Sequence, residues 1–433
     1  MEKVRVFCRN NGKFYEVAPG TELVELMEMA GIDALAAYVD NQLKELGYPL
    51  YMAHSVEFLD YTNSDGRRCY KRSIYFLLQK AVQDLYPNKQ LILDYTLPNG
   101  GYGEIVDAPQ ADNPDDSLKI RMESVMELTE EEVARIKMRM QEIVDEDIPI
   151  EKRKLSNEEA VRLFKHNRQY DKARLIEDIG QFFVSVYFMG DCADTFYGPL
   201  LHSTGKIRKF NLMKYNKGFC VQFPSTLPPY ELPCVKYQEK LFNVFKENST
   251  WCSILGVKDI ATVNKAISKG YSKKMIQIAE ALHERKYAAI ADKIYERKED
   301  VKLVLLAGPS SSGKTTTSMR IALQLKVLGL NPVVLAMDNY FVDREQTPKD
   351  ENGNYDFECL GAMDLDLLNN QLNALFAGEE VEIPTFNFAE GRKEFKGNKI
   401  RMAPNDILIM EGIHALNPAL TSGIESRRKF KIY

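Results

Sequence analysis

The sequence predicts a multidomain chain that is α+β at the front and α/β at the back, and three observations carry that expectation. A length of 433 residues exceeds what one hydrophobic core serves. The first 65 residues alternate short apolar strands, turn signals and one helical stretch. Residues 301–433 instead carry short, continuously apolar runs separated by helical periodicity, the pattern of a parallel sheet buried on both faces. Hydrophobic content of 45% with 27% charged residues fits a soluble globular chain. The net charge of −5 disfavours bulk electrostatic binding to nucleic acid and leaves room only for a local basic face. The start, MEKVRVFCRN, lacks the apolar stretch of a signal peptide, and no apolar run approaches a membrane span. Seven cysteines, scattered without a C-x-x-C, read as reduced thiols, so a cytoplasmic protein without a zinc or disulfide framework is expected.

At the front, Val4–Cys8 and Lys13–Val17 flank the turn signal Asn10-Asn11-Gly12. Thr21 is expected to cap a helix whose apolar face is Leu23, Leu26 and Met27. Further strands at Ala36–Val39, Leu43–Leu46 and Ser55–Leu59 suggest a β-grasp over 1–65. Residues 66–230 open with an apolar-periodic helix, Tyr70–Tyr86, followed by a strand at Leu91–Tyr95. Thr129–Glu132 and Ser156–Glu159 each read as a capping box, so their carboxylates are assigned to helix starts rather than to an acidic site. Pro224, Pro228-Pro229 and Pro233 punctuate the end of this section, and 231–300 reads as a helical connector that includes Ser272–Glu299.

The stretch VKLVLLAGPSSSGKTT (301–316) carries the first chemistry. An apolar strand runs into Gly308-Pro309-Ser310-Ser311-Ser312-Gly313-Lys314-Thr315, a G-x-x-x-x-G-K-[ST] phosphate loop that opens a helix, Lys314–Leu328. Backbone N–H groups of Gly308 and Ser310–Thr316 would cradle ATP phosphates, helped by the helix N-terminus. Lys314 would pair with the β- and γ-phosphates, and the Thr315 hydroxyl would ligate Mg²⁺. Two more buried strands, Val333–Met337 and Ile407–Met410, end at Asp338 and Glu411. Parallel sheets bind ligands beyond their carboxyl edge, so both carboxylates are expected on the rim of the phosphate site.

Beyond these readings, the chain resembles two families. Val56-Glu57-Phe58-Leu59-Asp60 and the preceding strands are similar to the TGS domain of threonyl-tRNA synthetases. Leu128–Glu132, Met189-Gly190-Asp191, Gly198-Pro199 and His202–Ile207 resemble the editing-type domain of threonyl- and alanyl-tRNA synthetases. That resemblance implies a binding module, with RNA contact through residues 1–230. The family's editing ligands, two His on the first helix and a Cys and a His around Gly-Pro, are replaced here by Arg72, Phe76, Phe196 and Leu200. A domain that no longer edits is therefore expected.

Residues 301–433 resemble the phosphoribulokinase/uridine kinase family through Asp338-Asn339-Tyr340-Phe341, Tyr355-Asp356-Phe357-Glu358, Pro384–Phe388 with Arg392, and Asp406–Gly412. The resemblance implies an ATP- and Mg²⁺-dependent kinase acting on the primary hydroxyl of a uridine- or cytidine-like nucleoside. It implies Asp338 as base, Glu411 with Thr315 at Mg²⁺, and Tyr340, Asp356, Glu358, Phe386 and Arg392 around the acceptor. Phe386-Asn387 stands where the family has Tyr-Asp, and Gly391 where uridine kinases have a His, which weakens pyrimidine selection. Lys429–Tyr433 reads as the start of another strand, and the family would continue with an Arg-rich lid. A fragment with weak nucleotide binding and slow or absent turnover is expected. The rival expectations are a P-loop kinase for a non-nucleoside small molecule and a nucleotide-sensing, tRNA-binding regulator. Oligomeric state has no signature in the sequence.

Overall fold

The computed structural model describes residues 3–108, 125–257 and 259–433. Two compact units divide the chain, Met1–Ser272 and Lys273–Tyr433. No helix among the described residues is long and apolar enough to cross a membrane.

The first unit begins with a five-stranded mixed sheet, in spatial order 13–17, 4–8, 55–59, 36–39 and 42–44, with 4–8 and 55–59 parallel. The helix Leu23–Ala30 buries Leu23, Leu26 and Met27, the apolar face the sequence predicts. Its cap is Glu22 rather than Thr21, which lies one residue earlier in the two-residue strand that pairs with Pro49–Leu50. The Glu25 carboxylate accepts the Glu22 N–H at 3.0 Å. The strand expected at Leu43–Leu46 spans Gln42–Lys44, and the Leu46 carbonyl turns to accept the Val24 N–H at 2.8 Å.

The long helix runs Ser64–Leu85, starting six residues before the expected Tyr70. Asn63 caps it by accepting the Asp65 N–H at 2.8 Å. Gly66 is required in its first turn, since a Cβ there would lie 2.0 Å from the Asp60 carbonyl oxygen. Ile74, Leu77 and Leu78 of this helix pack with Ile136 and Met140 of the helix Glu130–Asp145 and with Phe219 of a four-stranded sheet. Both expected capping boxes form, Thr129 with Glu132 and Ser156 with Glu159. A second sheet, Ile150–Ser156, Phe183–Met189 and Cys192–Asp194, carries the helices Asn157–His166 and Tyr170–Ile179 against Val186 and Ala193.

The second unit is built on four parallel strands in the order Asn331–Ala336, Asp406–Glu411, Leu303–Leu306, Lys429–Ile432. The two central strands are buried throughout, as their unbroken apolar runs require. Successive residues point to opposite faces. Leu303, Leu305, Leu408 and Met410 face the helix Leu365–Phe376. Val304, Leu306, Ile407 and Ile409 face the helix Lys314–Val327 and the end of Ser272–Tyr295, through Ile321, Leu325, Ala291 and Ile294. The back of the expected connector therefore shares the core of this sheet. The strand expected at Val333–Met337 runs Asn331–Ala336, with Pro332 tolerated because the strand lies at the sheet's edge.

Asp364 caps the helix Leu365–Phe376, accepting the Leu367 N–H at 3.0 Å, and pairs with the Lys393 ammonium. Burial acts to raise the Asp364 carboxyl, but Lys393 and the Leu367 N–H outweigh it and hold the pKa below the ordinary value of 3.8. A carboxyl depressed on folding stabilises fully above its unfolded pKa and loses that contribution as pH falls through the folded one. Asp364→Asn keeps the cap. It is expected to be less stable than wild type at neutral pH, with the difference shrinking as pH falls below 3.8 and through the depressed folded pKa, as read by thermal unfolding across the range. Leu408 is fully buried. Leu408→Ala is expected to cost the second unit about 2–5 kcal/mol, measured by chemical denaturation.

Candidate phosphate and acceptor site

Beyond the buried strand Leu303–Leu306 the chain turns through Gly308–Gly313 into the helix Lys314–Val327. Ser311 (φ 59°) and Gly313 (φ 82°) both adopt left-handed backbone, the alternation that turns successive N–H groups into an anion-binding concavity. Gly308 has no room for a side chain, since a Cβ would sit 2.6 Å from Ser312 Oγ. Ser310, Ser311, Ser312 and Thr316 are exposed. The Lys314 ammonium donates to the Pro309 carbonyl at 3.0 Å, folded back on its own loop. The Thr315 hydroxyl donates to Glu411 Oε1 at 2.7 Å.

Glu411 is buried and closes the central strand, in register with Leu306 on one side and Ala336 on the other. The phosphate loop, Glu411 and the turn Met337–Tyr340 thus leave the same edge of the sheet. Gly412 lets that turn approach, because a Cβ would lie 2.8 Å from Met337 Cβ. Asp338, in the turn, is exposed, and its carboxylate has no hydrogen bond or ion pair among the described residues.

The acceptor-side residues fall into four groups. Tyr340 is core: its hydroxyl donates to Gln371 Oε1 at 2.7 Å, and burial pushes its pKa up. Phe386 is buried, edge-on to Phe341 at 5.7 Å and to Phe388 at 5.1 Å, leaving Phe388 as the exposed ring. Asp356 Oδ1 accepts the N–H groups of Glu358 and Cys359 at 3.0 and 3.1 Å, a turn-forming role, while Glu358 is exposed. Arg392 pairs with Glu390 at 2.5 Å and with Glu394 at 3.9 Å.

The hairpin Thr385–Asn387/Arg392–Glu394 is tied down by residues the sequence reading did not assign. Asn339 Oδ1 accepts the Phe386 N–H at 3.3 Å, and Asp343 Oδ1 accepts the Lys393 N–H at 3.0 Å. Arg344 donates to the Phe388 carbonyl at 2.9 Å, and its backbone N–H donates to the Gly391 carbonyl at 2.7 Å. Asn387 spends its amide within the hairpin, on Glu394 and on the Ala389 and Glu390 N–H groups. Gly391 (φ 70°) could not carry a side chain, because a Cβ would meet Arg344 at 2.8 Å. Asn339 and Asp343 lie next to the Asp338 motif, but their partners are 47 and 50 residues away, beyond any local periodicity.

In the first unit, the four substituted positions do converge. Arg72 Nε and Nη2 donate to the Pro199 carbonyl at 3.1 and 3.0 Å. Phe76 packs edge-on to Phe196 at 5.4 Å, and Leu200 is fully buried in the same core. Gly198 (φ 125°) faces the Arg72 guanidinium, which a Cβ would approach to 2.9 Å.

Comparison with known proteins separates the two parts. Residues 303–433 match the Phosphoribulokinase / Uridine kinase family. The threonine--tRNA ligase of Aquifex aeolicus is 31% identical over 216 residues, 49% of this chain and 31% of the ligase. That of Desulforamulus reducens is 30% identical over 209 residues, 47% of this chain and 30% of the ligase. The chain thus spans about a third of the length of these relatives. A solved structure of a possible uridine kinase from Bacillus stearothermophilus is 23% identical, covering 34% of this chain and 79% of that one with a TM-score of 0.29. The chain carries a Phosphoribulokinase / Uridine kinase family domain at its C-terminal end, behind a first half that resembles threonine--tRNA ligases.

Proposed function

We propose that this chain belongs to an ATP-dependent kinase that phosphorylates a primary hydroxyl of a nucleoside of the uridine or cytidine type. The observation that carries the reading is one edge of one sheet. A phosphate loop with left-handed backbone, a Thr315–Glu411 pair and an Asp338 carboxylate without a partner among the described residues all leave it. The fit to a nucleotide rests on the loop's own shape, with Gly308 too close to Ser312 for any side chain. The fit to Mg²⁺ rests on the chemistry of Thr315 and Glu411, two oxygen donors already 2.7 Å apart. ATP held by Gly308–Thr316 would supply the phosphoryl group, its charge offset by Mg²⁺ at Thr315 and Glu411.

The remaining chemistry belongs to side chains of this domain. Asp338 would take the proton of the acceptor hydroxyl as that oxygen bonds the γ-phosphorus and the bridging bond to the β-phosphate breaks, releasing ADP. Lys314, whose ammonium bonds the Pro309 carbonyl of its own loop and no carboxylate among the described residues, is the cation available to γ-phosphate oxygens. Glu358 is the exposed carboxylate for the acceptor's other hydroxyls, and Phe388 an exposed ring against Phe386. Tyr340 and Phe386 support this wall from the core rather than touching substrate. The front sheet and helix are read as a TGS-like β-grasp over 1–65. Residues 66–230 are read as an editing-type domain whose ligand positions are closed by packing, followed by the connector 231–300.

ADP release from ATP–Mg²⁺ across a nucleoside panel tests the reading. Asp338→Asn is expected to lower turnover by about 10²–10⁴-fold with nucleotide binding intact. Lys314→Ala is expected to lose both turnover and nucleotide affinity. Silence with every nucleoside, alongside intact ATP binding, would remove the nucleoside assignment.

A further inference from the structure

The charge on the acceptor side of the kinase domain has a consequence for the kind of molecule it admits. Residues 338–366 contain nine carboxylates against two cations, Arg344 and Lys349. Both cations are engaged: Arg344 holds the Phe388 carbonyl at 2.9 Å, and Lys349 lies over the Tyr355 ring at 5.1 Å. The hairpin opposite adds three more cations, and these are engaged too. Arg392 pairs with Glu390 and Glu394, Lys396 with Glu394 at 2.8 Å, and Lys393 with Asp364. Asp338 and Glu358, by contrast, are exposed carboxylates whose side chains have no partner among the described residues. The groups left over to meet an acceptor are negative or aromatic.

From this we infer that the acceptor carries no negative charge, and that Asp364 is a specificity-determining residue because it immobilises Lys393. The inference rests on the kinase reading and bounds its acceptor, nucleoside or other, to uncharged or cationic alcohols. Lys393 is the cation best placed to reverse the selection. Its backbone N–H is fixed on Asp343 at 3.0 Å, five residues beyond Asp338, and its strand partner is Phe386 of the aromatic wall. Held by Asp364, its charge is neutralised within the scaffold. Released, it would offer an anionic acceptor the counter-charge it lacks. Unpaired carboxylates near the reacting hydroxyl repel an anion over about 8 Å at physiological salt, and less as salt rises.

The test uses matched pairs of primary alcohols that differ in one carboxylate: uridine and orotidine, pantothenol and pantothenate, glycerol and glycerate. ADP release is followed with the whole chain, with acceptor binding measured by calorimetry in the presence of Mg²⁺ and a non-hydrolysable ATP analogue. The neutral member of the productive pair is expected to be favoured in kcat/KM by about tenfold or more, with the ratio shrinking at high salt. Asp364→Asn keeps the helix cap while freeing Lys393. It is expected to shrink the ratio several-fold with the neutral acceptor's kcat/KM held within about twofold, and adding Lys393→Ala should restore the ratio. A carboxylate-bearing acceptor used as well as its neutral partner overturns the charge selection and leaves the kinase standing. A ratio unchanged in Asp364→Asn overturns the role of Asp364. Neither turnover nor acceptor binding with any member of any pair overturns the acceptor assignment on which the inference rests, and the inference with it.

Discussion

The hydrogen bond from Thr315 to Glu411 joins the two segments on which the kinase domain's site depends. One end belongs to the first turn of the helix that follows the phosphate loop, the other to the last residue of the buried central strand. Because Glu411 is in register with both Leu306 and Ala336, that contact fixes the loop relative to the strand that delivers Asp338. The sheet supplies the rigidity: its central strands are buried on both faces, so a shift of one residue would turn each apolar side chain to the wrong helix.

The acceptor side is held differently, by polar contacts between loops rather than by a core. Asn339, Asp343 and Arg344 follow Asp338 directly and bind the 385–394 hairpin through backbone groups. The placement of the proposed base and the shape of the aromatic wall are therefore properties of one network. Within the hairpin, Asn387 donates to Glu394 and Arg392 pairs with Glu390.

In the first unit, Arg72, Phe76, Phe196 and Leu200 all serve the structure. A guanidinium satisfies the Pro199 carbonyl, two phenyl rings pack edge-on, and a leucine is buried in the same core. Arg72 satisfies a backbone acceptor beside an apolar cluster, a role in which its fork of donors is well used.

The sequence by itself determined the elements whose signals are local. The phosphate loop, the unbroken apolar strands, the capping boxes at Thr129 and Ser156, and the placement of Asp338 and Glu411 at strand ends were all legible from spacing and residue type. The early start of the Ser64–Leu85 helix was less so, because its first turn is polar and depends on Gly66 passing the Asp60 carbonyl. Tertiary structure alone decided which polar side chains remain free. Tyr340 goes to Gln371, Lys393 to Asp364 and Asn339 to Phe386, through pairings across tens of residues. A hydroxyl or charge in a motif can face substrate or scaffold with the same local sequence, and only the packing of distant segments chooses between them.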